Sequence, residues 1–470
     1  MHRTPQSRYD ASCDRARRSV VFSVAVAAAL FLTTLPASAQ YPAAVRDSVD
    51  ARVMAFMAER QIPGAAVAIL EDGRLVKARG YGLADVEHSV PATAETLFQS
   101  GSLGKQFTAA AVLLLAEEGR LSLDDPISHH LADAPATWGN ITIRHLLSHT
   151  GGLGGYERRV DLRRDYSEEE LVREIAAAPL EFEPGSEWSY SNSGYLVLGA
   201  IVSRVTGAHW GEYLRKRVFE PAGMETAQVI SEADIVPHRA SGYRLEDGEL
   251  KNQEWVSPAF LSTGDGALYL SILDLARWDQ ALRRGAVLSP ESRRAMWAPT
   301  RLVDGAIVGY GFGWGVAGPP ARPHVGHGGA WQGFKAYILR YDDPAVTVAL
   351  LTNGAQADPH VMTYAIAAAY RPGLAPSTPA IQPLSDAALA PYAGSYRLPS
   401  GDTVQVRVED DALMVDGLGG RPVRFEPIGD DVFVRSSPDE RLRFVRGAAE
   451  FEQAWLGAPG APVLRLRRIP

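Results

Sequence analysis

The chain has 470 residues, 46% apolar and 22% charged, which gives ample material for a core and is too long for one ordinary domain. Its formal charge is −8, with arginines dispersed among acids, so it carries no basic footprint for nucleic acid. Its single cysteine, Cys13, lies in the N-terminal segment, which excludes disulfides, thiol catalysis and cysteine-ligated metals from everything that follows.

Arg15, Arg17 and Arg18 precede an apolar run over 20–32, and Ala37-Ser-Ala39 offers small residues for cleavage before Gln40. This pattern predicts a signal peptide over residues 1–39 and a periplasmic or secreted protein. The run is short for a bilayer span, so no stable membrane anchor is expected, a retained N-terminal anchor being the alternative. Removing the segment takes away five arginines and two aspartates and moves the formal charge from −8 to −11.

Residues 43–59 repeat Val45, Val49, Val53, Phe56 and Met57 at helical spacing. Strand-like runs at 65–70 and 75–81 flank Glu71-Asp-Gly-Arg74, a hairpin with Asp-Gly at its tip. The Ala, Val and Leu run over 109–116 suits a buried helix, and from about 121 to 266 short helices and loops are expected. Strand character returns at 325–329, 334–340 and 346–352, followed by a helix over 360–370. Residues 371–379 are proline-rich, and short alternating pieces at 394–397, 404–408, 412–415, 432–434, 441–445 and 463–466 predict a small antiparallel β-barrel. The expected organisation is an α/β domain over 40–372, whose sheet is built from both ends with a helical lobe between, a linker over 373–384 and an all-β barrel over 385–470.

Ser102 and Lys105 stand just before the 109–116 run, three residues apart and so on one helix face. A hydroxyl beside a basic amine at a helix N-terminus is one way to make a nucleophile without histidine. The same spacing also fits a capping serine beside a solvated lysine. Of the five lysines in the chain only Lys105 has a serine three positions earlier. Tyr190-Ser-Asn192 is the chain's only Tyr-x-Asn; its phenol could serve as a base and its amide could hold a lysine or a carbonyl, or the stretch is a polar turn before a helix. In His327-Gly-Gly-Ala330, Gly328 and Gly329 would let a substrate lie close to the strand. The Ala330 amide could pair with that of Ser102 as an oxyanion hole, and His327 would donate a hydrogen bond, partly charged near neutrality. A glycine turn with a structural histidine fits the same residues.

In order and spacing, Ser102-Leu-Gly-Lys105, Tyr190-Ser-Asn192, His327-Gly-Gly329, Leu146-Leu-Ser-His-Thr-Gly-Gly-Leu153 and Gly194-Tyr-Leu-Val-Leu-Gly-Ala200 resemble the serine β-lactamase and penicillin-binding protein superfamily. The nearest branch is that of class C-like serine hydrolases, which includes family VIII carboxylesterases and D-aminopeptidases, and the resemblance runs from about residue 43 to 370. It implies a β-lactamase-like fold, Ser102 as acylated nucleophile, Lys105 and Tyr190 as the acid/base pair, and Asn192 as a positioning group. It also implies a small ester, amide or peptide substrate and no metal or other cofactor. The tail resembles the lipocalin-like barrel of several relatives. Antibiotic-directed members usually open the third motif with lysine, and histidine here favours esters or small amides over β-lactams.

A β-lactamase or D-Ala-D-Ala-type peptidase is the alternative activity, and a non-catalytic binding or regulatory member of the fold is a further one. An α/β-hydrolase is disfavoured because the first glycine of Gly-x-Ser-x-Gly is missing around Ser102. His145 and His149 are spaced like zinc ligands but lack the accompanying glutamate.

Overall fold

A computed structural model describes residues 43–469, apart from 232, 262, 320, 377–378, 419–421, 436–439, 448–450 and 459–460. The signal peptide expected over 1–39, with Cys13, lies outside the described residues. Among those residues no helix is long and apolar enough to cross a membrane.

Seven antiparallel strands form the main sheet, in the order Gly315–Ala317, His324–Trp331, Phe334–Tyr341, Val346–Thr352, Gly64–Glu71, Arg74–Asp85 and Val90–Pro91. Ala65 pairs with Thr352, so the two ends of the domain meet at the centre of the sheet, as the strand pattern predicts. The Gly64–Glu71 strand is buried on both faces. Because strand side chains alternate, Ala65, Val67 and Ile69 meet the layer that includes Val49, Val53, Met362 and Ile366, whereas Ala66, Ala68 and Leu70 meet the helical side. The first layer comes from helices Ala43–Arg60 and Pro359–Tyr370. At the hairpin tip Asp72 and Gly73 both have positive φ, 51° and 73°, as a two-residue primed turn requires.

The helix Lys105–Glu117 is buried from Lys105 to Leu115. Ser102 is not on it. It occupies the 3-10 turn Gly101–Gly104, and Lys105 is the first α-helical residue. In a 3-10 turn side chains at i and i+3 eclipse, which draws Ser102 and Lys105 closer than an α-helix would. The middle of the chain holds the expected short helices, including Ile143–Leu147, Glu168–Ala176 and Asn192–Thr206. It also holds strands that the expectation of helices and loops missed: Tyr243–Glu246 pairs with Glu249–Asn252 around a second Asp-Gly turn, and Gln228–Val229 pairs with Leu268–Leu270, which lies just past that region and also pairs with Phe98–Gln99.

The C-terminal strands close into an eight-stranded barrel. Two of its strands, Val423–Gly429 and Phe451–Ala458, escape the alternation pattern: the first carries Pro427 at a register shift, and the second is diluted by Gln453, Ala454 and Gly457. The barrel is filled by its own side chains, with Tyr396, Phe425, Phe433, Phe444 and Phe451 clustered beneath Tyr392. Its last hairpin docks on the α/β domain. Trp455 and Leu464 pack against a cluster of Trp188, Leu302, Val308 and Tyr310, and Arg465 and Arg467 both reach Glu187. Arg465 also pairs with Asp304 at 2.6 Å and lies 4.4 Å from the Trp455 ring centre.

Candidate active site

Three main-chain segments converge at Ser102. Gly101 has φ of 51°, and a Cβ there would sit 2.5 Å from the Ala330 amide nitrogen. A Cβ on Gly329 would sit 1.8 Å from the Ser100 carbonyl oxygen. Only glycine permits these approaches, and they bring the His324–Trp331 strand against the serine turn. The third segment is held by the Ser100 hydroxyl, which donates to the Gly266 carbonyl at 2.7 Å.

Lys105 is fully buried. Its Nζ lies 3.1 Å from Ser102 Oγ, 2.7 Å from Asn192 Oδ1 and 2.6 Å from the Asp265 carbonyl oxygen. The last two partners can only accept. An uncharged amine in this position would donate its two protons to them and turn its lone pair toward the serine hydroxyl. The network fixes the Asn192 amide as well, since its Nδ2 donates to Glu157 and leaves Oδ1 for the lysine. Asn192 opens the Asn192–Thr206 helix, which Ser191 caps by accepting from the Gly194 amide. Asp265 is held through its side chain by Tyr156 at 3.1 Å and Thr263 at 2.5 Å. Burial first, and the neighbouring Asp265 carboxylate second, push the Tyr156 phenol well above its ordinary pKa.

Tyr190 is 38% exposed. Its ring lies 5.1 Å from Lys105 Nζ and 4.3 Å from the His149 ring, and among the described residues its hydroxyl has no hydrogen-bond partner.

The partial charge expected on His327 needs correction. The ring is buried, Nε2 lies 2.8 Å from the Tyr310 hydroxyl and Nδ1 lies 2.6 Å from the Gly328 carbonyl oxygen. Burial, reinforced by the neighbouring Lys105 amine, pushes its pKa down to about 4, so the imidazole is neutral at pH 7 and both nitrogens are engaged within the protein. An unfolded histidine titrates near 6.5, so protonation opposes folding. The resulting stability is fully present above pH 6.5 and is lost as pH falls toward 4, by roughly 3 kcal/mol from this residue. Burial acts on His149 in the same direction. Urea midpoints are therefore expected to fall markedly between pH 7.5 and pH 4.5, and equal midpoints would contradict a neutral, buried His327.

The cleft over Ser102 has a volume of about 190 Å³ and is lined by Tyr156, Glu157, Asn192, Phe260, Ala330 and Trp331 among others. Glu157 and Asp265 are its acidic residues, and among the described lining residues there is no lysine or arginine. His145 and His149 do not converge: His145 Nδ1 accepts from the Thr142 amide in a helix cap, whereas His149 faces Tyr310.

The structure thus brings together Ser102, Lys105, Tyr190, Asn192 and the 327–330 strand. It adds Glu157, Asp265, His149 and Tyr310, to which the sequence reading gave no role. His149 lies inside the noted Leu146–Leu153 stretch, and the alternating glycines and aromatics of Gly309-Tyr-Gly-Phe-Gly-Trp314 were the available signal for Tyr310.

Comparison with known proteins agrees with this geometry. Penicillin-binding protein 4* of Bacillus subtilis (strain 168) is 29% identical over 402 residues, covering 80% of this chain and 89% of that protein. Esterase EstB of Burkholderia gladioli is 31% identical over 354 residues, covering 65% of this chain and 90% of the esterase. The structure of D-amino acid amidase from Ochrobactrum anthropi SV3, complexed with L-phenylalanine amide, superimposes with a TM-score of 0.57 at 25% identity, over 66% of this chain and 91% of that one. The Beta-lactamase family matches residues 49–371, from the first helix through the last sheet-covering helix, and the chain belongs to this family as a serine hydrolase.

Proposed function

We propose that the protein hydrolyses small esters or amides and peptides through an acyl-enzyme on Ser102. The observation that carries this reading is the Lys105 amine, bonded at once to Ser102 Oγ and to two acceptors that orient it. Lys105 takes the Ser102 proton as Oγ bonds to the substrate carbonyl carbon, and the carbonyl oxygen becomes an oxyanion held by the Ser102 and Ala330 amides. Collapse breaks the bond to the alcohol or amine, which leaves with the proton delivered by Lys105 and Tyr190. Water then attacks the acyl carbon by the same route and frees Ser102. Asn192 positions Lys105, Gly329 lets the strand lie against the Ser102 turn, and Gly328 leaves room for the Tyr337 ring, which corrects the expectation that both glycines face the substrate.

Substrate choice follows from charge. A β-lactam or a D-Ala-D-Ala peptide presents a carboxylate, whereas this cleft is lined by Glu157 and Asp265, and His327 is buried and neutral. Uncharged acyl groups, or groups bearing an amine, are favoured. The reading includes a signal peptide over 1–39 with export to the periplasm or medium, a catalytic domain over 40–372 and a barrel over 385–470.

A fluorophosphonate probe is expected to label the wild type and not Ser102→Ala; labelling of neither would support a binding or regulatory protein. With a nitrophenyl ester, a D-alanyl anilide and a chromogenic cephalosporin assayed side by side, the cephalosporin is expected to be the poorest substrate by at least about tenfold, the effect of roughly 1.4 kcal/mol. A preference for the cephalosporin would overturn the charge argument.

A further inference from the structure

Four hydrogen bonds run in one direction between the two motifs that flank Ser102. The Ser191 amide donates to His149 Nδ1 at 3.1 Å. A backbone N–H can only donate, so this nitrogen carries the lone pair and the neutral ring carries its proton on Nε2. That proton faces the Tyr310 hydroxyl oxygen at 3.1 Å. Tyr310 then donates to His327 Nε2 at 2.8 Å, and His327 Nδ1–H donates to the Gly328 carbonyl at 2.6 Å. Main-chain groups that cannot exchange roles fix both ends, which sets the tautomer of each imidazole.

The ends are informative. Ser191 sits between Tyr190 and Asn192, and Gly328 lies two residues before Ala330. The middle is buried: His149, Tyr310 and His327 are 2%, 5% and 8% exposed. Tyr310 is itself anchored, its carbonyl accepting from the Thr300 amide at 3.0 Å and its ring packed with Trp188, Leu302 and Val308, against which the barrel's Trp455 and Leu464 lie. The charged and titratable side chains that face the series are Lys105 and Tyr190, with Tyr195 beside Tyr310 and 5.2 Å from the His149 ring.

We infer that Tyr310 is a positioning residue, which through His149 and His327 sets the spacing between the Tyr190–Asn192 segment and the Gly328–Ala330 strand. The inference rests on the acyl-enzyme reading above, in which the first segment handles the proton and the second holds the oxyanion. Neither imidazole carries charge in this role. Each works as a directional connector of fixed tautomer, with Tyr310 as the joint between them.

Tyr310→Phe removes one oxygen and keeps the ring. With the nitrophenyl ester it is expected to lower kcat about tenfold and change KM less than twofold. His327 Nε2 loses its donor and protonates more readily, so the acid limb of the kcat profile should move up by about one pH unit. A residue that merely filled space would leave that limb unmoved. Should the variant not fold, His149→Gln, which keeps a donor toward Tyr310, is expected to retain at least fivefold more activity than His149→Ala. An unchanged kcat and acid limb in folded Tyr310→Phe, or equal activities of the two His149 variants, would overturn the inference. Ser102→Ala is carried in parallel: if turnover survives in it, the acyl-enzyme reading fails, and if only the Tyr310 and His149 effects are missing, the positioning role alone fails.

Discussion

Lys105→Met is expected to lower ester turnover by about 10⁴-fold, close to the background left by Ser102→Ala. General-base assistance alone is worth about 10²–10⁴-fold, and groups that act as a unit lose nearly everything when one is removed. Methionine preserves length and helix propensity but has no proton to donate and no basic lone pair. Asn192 Oδ1 and the Asp265 carbonyl lose their donor, at roughly 1–3 kcal/mol for each acceptor left buried without one. Removing a fully buried amine offsets this, because its desolvation no longer opposes folding. The variant should therefore melt within a few degrees of the wild type while being almost inactive. Calorimetry beside steady-state kinetics checks both halves, and activity above a tenth of wild type would mean that the proton leaves Ser102 by another route.

Gly329→Ala comes second in size. The new methyl would lie 1.8 Å from the Ser100 carbonyl oxygen and 2.9 Å from the Leu103 amide nitrogen, and both are backbone atoms that cannot rotate away. Strand and serine turn must separate, which moves Ala330 from the reacting carbonyl. A loss of one oxyanion donor costs about 10²–10³-fold in kcat, and overpacking a tight contact costs roughly 1–3 kcal/mol of stability. Gly373→Ala, where an added Cβ meets nothing within 4 Å, is the control and should match the wild type in both respects. Near-normal kcat in Gly329→Ala would show that the 328–330 strand does not hold the oxyanion.

The parts of this site that depend on local spacing are legible in the sequence. Ser102 and Lys105 are three apart, the Asp-Gly hairpin announces the first strands, and the three late strands read as such. What stays hidden depends on distant partners. The neutrality of His327 comes from burial and from Tyr310, and nothing in His327-Gly-Gly-Ala330 indicates that both ring nitrogens are taken. Glu157 and Asp265 look like ordinary loop acids until Asn192 and Lys105 fold onto them. The placing of Ser102 in a 3-10 turn is a third such case, because the conformation is imposed by the strand and the Gly266 segment packed against Ser100 and Gly101.

The pairing of Ala65 with Thr352 also governs when the chemistry becomes available. Chains are synthesised from the N-terminus, and domains fold as units once their non-local contacts can form. The Ser102 turn leaves the ribosome long before the strand that faces it and before the Val346–Thr352 strand that completes the sheet around Gly64–Glu71. A growing chain therefore carries Ser102 without the strand proposed to hold the oxyanion. On the proposed mechanism, that serine stays inactive until the sheet is complete.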